Sequence, residues 1–199
     1  MAKALAWLNP SVWAGGSVPA AAVAYRALND ELGANPIAEA MNRLGMVSLV
    51  MLIATLAVTP LQKVTGWTWP PRIRRALGQL AFGYVTLHFL VYLGLDLQFA
   101  LGQVLEDVAK RPFITVGFTA WLLLIPLAVT STDAMVRRLG YQLWKKLHRL
   151  AYLCAALGVV HFYWRVKKDH TEPLIFGAVL GFLLLMRVVN SGRKKRAAA

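Results

Sequence analysis

The sequence predicts an all-α, polytopic membrane protein in which six transmembrane helices form one domain over residues 1–199, and three observations predict it. Hydrophobic residues make up 58% of the chain, the mean hydropathy is +0.53 and only 16% of residues are charged, whereas a soluble domain of this length needs far more polar surface. The charge is also clustered, leaving charge-free runs at 4–25, 44–62, 76–95, 112–132, 150–164 and 173–186. A bilayer core of about 30 Å takes roughly 20 apolar residues of helix. Four of the runs meet that length, and the last two reach it with flanking residues that snorkel, such as Arg187. Finally, Lys and Arg are asymmetric across such a topology. Of the 22, 15 fall on the side of the two termini and 7 on the other, which the positive-inside rule reads as both termini cytoplasmic. The net charge of +13 is thereby an orientation signal and requires no nucleic acid.

The expected spans are 4–25, 44–60, 76–95, 112–129, 147–164 and 173–190, followed by a basic cytoplasmic tail at 191–199. The first contains Pro10, Gly15, Gly16 and Pro19 and is expected to kink; it reads as an uncleaved span, since the pattern of a cleaved signal is lacking. An outer loop with Asn29, Asp30, Gly33 and Pro36 leads to span two, which Pro60 is expected to close. Trp67 and Trp69 in the next cytoplasmic segment suit an interfacial belt. Span three carries His88. The stretch from Asp96 to Arg111 alternates in polarity and is expected to lie along the membrane surface. Span four ends near Pro126, and Thr130 to Asp133 offer N-cap side chains for an amphipathic helix over Ala134 to Lys146, continuous through Gly140 into span five. Span five carries His148 at its inner end, Cys154 at its middle and His161 near its outer end. The lone Cys154 makes no intrachain disulfide and reads as a small buried residue.

Chemistry falls on the histidines, because ionisable side chains inside bilayer helices are costly. His88 lies 13 residues beyond Arg75, and His161 lies 13 beyond His148. At a rise of 1.5 Å, 13 residues span about 20 Å, so His88 and His161 share an outer depth while His148 sits near the cytoplasmic face. Two imidazoles at one depth on neighbouring helices can clamp a haem iron from both sides, an arrangement suited to electron transfer; the competing reading is histidines that hydrogen-bond between helices as packing. Thirteen residues of ideal helix turn about 220°. His148 and His161 therefore share a face only if span five bends, as near Gly158, and otherwise only one of them is a ligand. His170 reads as a solvated loop residue. A closed zinc site wants four close ligands, which these histidines do not supply, and no G-x-G-x-x-G marks a nicotinamide domain.

Several strings carry a further reading in their order and spacing: Arg74-Arg-Ala-Leu-Gly78, Thr86-Leu-His88, Arg111-Pro-Phe-Ile-Thr115, Thr130-Ser-Thr-Asp-Ala-Met135, Arg138-Leu-Gly140, Trp144-Lys-Lys-Leu-His148 and His161-Phe-Tyr-Trp164. Together they resemble the MsrQ (YedZ) family, the haem-binding membrane subunits of methionine sulfoxide reductase systems. The similarity runs from the Leu32 loop to span six. It implies a six-helix ferric reductase-like bundle in a bacterial inner membrane, binding haem b. In the family, electrons come from the quinone pool or a cytosolic flavin reductase and pass to a periplasmic molybdoenzyme, MsrP, which reduces the sulfoxide in oxidised proteins. His88 and His161 match the family's outer haem ligands, and His148 matches a histidine proposed for a second, inner haem. Arg74-Arg75 occupy the region where the wider superfamily has another histidine, so that Arg74 is a candidate partner for a propionate. FMN is also associated with the family, with no local motif here. The alternative function is a stand-alone ferric or small-acceptor reductase; a redox-inactive scaffold or channel is the third.

Overall fold

The computed structural model describes residues 5–196, with side chains through residue 189. The start expected for the first span at Ala4 and the side chains of the expected basic tail lie outside the described residues. Helices follow in the order α1 (Leu8–Leu28), α2 (Pro36–Thr65), α3 (Pro70–Val91), a π-helical turn (Tyr92–Asp96), α4 (Leu101–Lys110), α5 (Pro112–Val129), α6 (Asp133–Leu139), α7 (Tyr141–Leu147), α8 (Leu150–Arg165) and α9 (Thr171–Arg196). Among the described residues the chain is an all-α bundle, and four helices are long and apolar enough to cross a membrane: Pro36–Thr65, Pro70–Asp96, Pro112–Val129 and Thr171–Val189. The other two expected spans correspond to α1 and α8. Helix α8 has 16 residues, a length of about 24 Å, because residues 148 and 149 are turned out of helix between α7 and α8.

The core forms where α2, α3, α5, α8 and α9 converge. Leu49, Leu52, Ile53 and Leu56 of α2 meet Ala81 of α3, Leu124 and Leu127 of α5, Cys154 and Ala155 of α8, and Leu180 and Leu183 of α9. Ala81, Cys154 and Ala155 are the most enclosed of these, as expected where small residues let helix backbones approach inside lipid. Cys154 fills its place as the small buried residue expected. Helix α2 starts with Asn35 accepting from the Ala38 N–H at 3.1 Å and ends at left-handed Gly66, φ 72°, an N-cap and C-cap of the usual chemistry.

Pro19, Pro60 and Pro126 lie within helices without ending them at once, and the first two have a distant side chain at the adjoining backbone. Pro60 does not close α2, which runs on to Thr65. Proline lacks the N–H that would bond the carbonyl four residues back; here that carbonyl, Leu56 O, accepts from the Arg187 guanidinium at 2.8 Å. Arg187 also lies over the Tyr152 ring at 4.7 Å, so it turns into the bundle instead of snorkelling outward as the sequence suggested. In α1 the Tyr84 hydroxyl inserts just beyond Pro19. It accepts from the Ala20 N–H at 3.0 Å and donates to Gly16 O at 2.5 Å. Gly16 lets α3 approach closely, since a Cβ there would meet Leu80 Cδ1 at 2.3 Å and that side chain would have to move.

The segment after α5 departs from expectation at Gly140, as well as at residues 148 and 149. Thr132 caps α6 by accepting from the Met135 N–H at 3.2 Å, as its composition indicated. The helix then breaks at Gly140, whose φ of +75° is a conformation side chains disfavour; α6 and α7 are therefore separate. Outside the spans, the Arg75 guanidinium hydrogen-bonds Asp133 at 2.5 Å and holds that carboxyl below its ordinary range. Helix α4 is amphipathic, with Val104 buried and Leu101 and Leu105 exposed, the pattern of a surface-lying helix.

Candidate functional site

His88 on α3 and His161 on α8 come together, with ring centroids 6.2 Å apart and ring planes at 86°. Each ring is set from behind by a different helix. His88 Nδ1 lies 2.8 Å from Met41 O on α2, and His161 Nδ1 lies 2.7 Å from Phe113 O on α5. A carbonyl only accepts, so Nδ1 carries the proton in both rings and Nε2 keeps its lone pair. Metal-bound histidines are commonly oriented by such a bond from the second ring nitrogen. Two imidazoles bonded through one nitrogen each to one metal, at about 2.0 Å, have centroids roughly 6 Å apart. The observed spacing fits that geometry.

Both rings line a cavity of about 510 Å³ between α2, α3, α5 and α8, within the roughly 300–1,000 Å³ usual for cofactor sites. Its floor is apolar, built from Leu49, Leu52, Leu124 and Cys154, and its mouth carries Asp96, Arg111, Arg165 and Glu172. One wall is an aromatic cluster in which Phe89 stacks on Trp121 at 4.5 Å and Phe118 lies 5.7 Å from both. Trp121 Nε1 is held by Thr86 Oγ1 at 3.2 Å. Arg165 stands one helical turn beyond His161, hydrogen-bonded to Asn42. Arg111 is already paired with Asp107 at 3.1 Å; Arg165 has no carboxylate partner among the described residues. An apolar slot with facing neutral imidazoles and a cation at its rim suits a haem, whose macrocycle is apolar and whose propionates are anionic.

The other two expected site residues lie elsewhere. His148 closes α7, where its Nε2 is 3.0 Å from Thr130 Oγ1 and its ring stacks on Trp144 at 4.1 Å. Of the pair on span five only His161 lines the cavity, which is the outcome expected of two histidines that do not share a helix face. Arg74 donates to Thr59 Oγ1 at 3.0 Å, and its Nε is buried without a partner among the described residues. His170 packs against Tyr163 at 4.6 Å in the loop before α9. Sequence reasoning passed over Arg165, and also Gly45 and Gly117, whose hydrogens face the two histidine rings. The i+4 spacing from His161 was the available signal for Arg165. The glycines gave none, because which glycine faces which ring depends on how two helices cross.

The profile of the family described as "Ferric reductase like transmembrane component" matches residues 40–159, which include the cavity walls and His88 and stop two residues short of His161. Curated relatives match nearly the whole chain. A protein of Deinococcus radiodurans is 50% identical over 97% of this chain and 95% of its own length; one of Rhodospirillum rubrum is 49% identical over 97% and 88%. A third, from Caulobacter vibrioides, is 48% identical over 92% of this chain and 87% of its own. Each bears the name protein-methionine-sulfoxide reductase heme-binding subunit MsrQ. The chain thus belongs to the MsrQ family, among the ferric reductase-like transmembrane proteins.

Proposed function

We propose that the chain is a haem-bearing membrane subunit of a methionine sulfoxide reductase system, holding one b-type haem between His88 and His161. The observation that carries this reading is the ring pair itself, with both Nδ1 atoms committed to backbone carbonyls and both rings on one apolar cavity. When bound, the haem would supply a one-electron redox couple. The protein's own part is to fix the two imidazole tautomers, to exclude water with the Phe89, Phe118 and Trp121 wall, and to offer Arg165 to a propionate. In this reading the chain crosses a bacterial inner membrane six times with both termini cytoplasmic, and the charge asymmetry supports that orientation. Electrons enter from the quinone pool or a cytosolic flavin reductase and leave to a periplasmic MsrP-like molybdoenzyme, where the sulfoxide is reduced. FMN, which is associated with the family, has no place assigned in this reading, and flavin fluorescence of purified protein reports it. A second haem at His148, with Arg74 toward a propionate, would take Nδ1 of that ring, or Nε2 with loss of its bond to Thr130.

The test is the visible spectrum of detergent-purified protein with haem-to-protein stoichiometry. Wild type should show a Soret band, and His88→Ala and His161→Ala should each lose most of it. Full haem retention in either variant sinks the ligand assignment. Ferric chelates offered with and without a molybdoenzyme partner separate this role from the alternative, a stand-alone ferric or small-acceptor reductase.

A further inference from the structure

The geometry points to Gly45 and Gly117 as positioning residues that set the two haem-facing histidines; the inference rests on the proposed haem site. The two halves of the site repeat one device. On α2, Met41 supplies the carbonyl for His88 Nδ1, and Gly45 lies four residues later on the same helix face. On α5, Phe113 supplies the carbonyl for His161 Nδ1, and Gly117 again lies four residues later. Each imidazole thus lies flat against one helical turn, where the missing side chain lets it reach the main chain. A Cβ at Gly45 would stand 3.1 Å from His88 Nδ1 and 3.3 Å from its Cε1. A Cβ at Gly117 would stand 2.6 Å from His161 Nδ1 and 2.8 Å from its Cε1.

Neither glycine is explained by backbone need. Both sit inside helices with ordinary helical φ, where alanine is the better helix former. The space each leaves is filled by a histidine ring. Adding a methyl there pushes the ring off its carbonyl, lengthens the Nδ1–H···O bond and turns Nε2 away from its partner across the cavity. A weaker Nδ1–H···O bond makes the imidazole a poorer electron donor to a metal, which destabilises the ferric form and raises the reduction potential. The two sites differ in degree: the contact at Gly117 is too short to be absorbed without movement, and that at Gly45 asks for a few tenths of an ångström.

The experiment compares Gly117→Ala and Gly45→Ala with Gly83→Ala, a helical glycine with nothing within 4 Å of an added Cβ, in purified full-length protein carrying haem. Haem content, spin state by visible and EPR spectra, and midpoint potential are read. Near-perpendicular axial rings, at 86°, should give wild type and Gly83→Ala a low-spin ferric signal with one large g-value. Gly117→Ala should bind haem about 10- to 100-fold more weakly, with a high-spin fraction appearing. Gly45→Ala should keep its haem with a more positive potential and a shifted low-spin signal. Wild-type occupancy, spectrum and potential in both cradle variants overturn the inference. Should Gly117→Ala fail to accumulate in membranes, Gly45→Ala decides alone, and an unaltered potential and EPR signal there overturn it equally. Wild-type protein without a Soret band would instead remove the haem reading beneath.

Discussion

The two ends of the bundle hold similar residues and spend them differently. At one end His88 and His161 each use a single nitrogen on the backbone and present the other edge to a cavity. At the other end His148 has its Nε2 on Thr130 and its ring on Trp144, Arg74 bonds Thr59, and Arg187 bonds the Leu56 carbonyl. The contrast shows that a histidine inside a bilayer helix declares little by residue type. What its second nitrogen does, and whether open space adjoins it, separates a ligand from a structural side chain.

The comparison breaks most sharply at the histidines. His148→Ala should retain most of the haem that His88→Ala and His161→Ala lose, with the visible spectrum of each purified variant as the readout. Equal loss in all three would place His148 in the same role as the others. The next largest effect concerns the opposite end. Arg187→Leu leaves the Leu56 carbonyl freed by Pro60 without its donor, and a buried unsatisfied group costs about 1–3 kcal/mol. Thermal unfolding in detergent should report that loss, while haem content in the folded fraction stays unchanged. Tyr84→Phe removes the hydroxyl bridging Gly16 and Ala20, for about 1 kcal/mol, in line with interhelical hydrogen bonds in membranes. A stability equal to wild type would show α1 closing its own bond past Pro19.

The smallest expected change is at the exposed Arg75–Asp133 pair, whose side chains are 49% and 72% accessible. Asp133 has a lowered folded pKa because Arg75 hydrogen-bonds it. Its contribution is therefore present above the ordinary carboxylate pKa of about 3.9 and disappears only as pH falls through the lower folded value. Asp133→Asn should leave the pH dependence of unfolding unchanged above about pH 4 and flatten it only below. A change in the slope of stability against pH near neutrality would contradict the pair's assignment.

The helical class was legible because the apolar runs of α2, α3, α5 and α9 exceed the length of any buried soluble strand or short helix. The His88–His161 pair was legible because helical rise converts residue counts into depth. The ends of helices were not. Pro60 reads as a stop in any local window, and only an arginine 127 residues later in the chain makes it a continuation. Gly140 reads as neutral within a helix until its φ is known. The partners of His148, Thr130 and Trp144, follow from how the segment after α5 folds back, which no periodicity marks.

The acceptors for the two ring protons lie on α2 and α5, whereas the rings themselves come from α3 and α8. Two segments must be seated to aim each imidazole, and four to aim both. The aim of the proposed ligand pair is thus set by how the helices dock, through main-chain carbonyls that no side-chain substitution can delete.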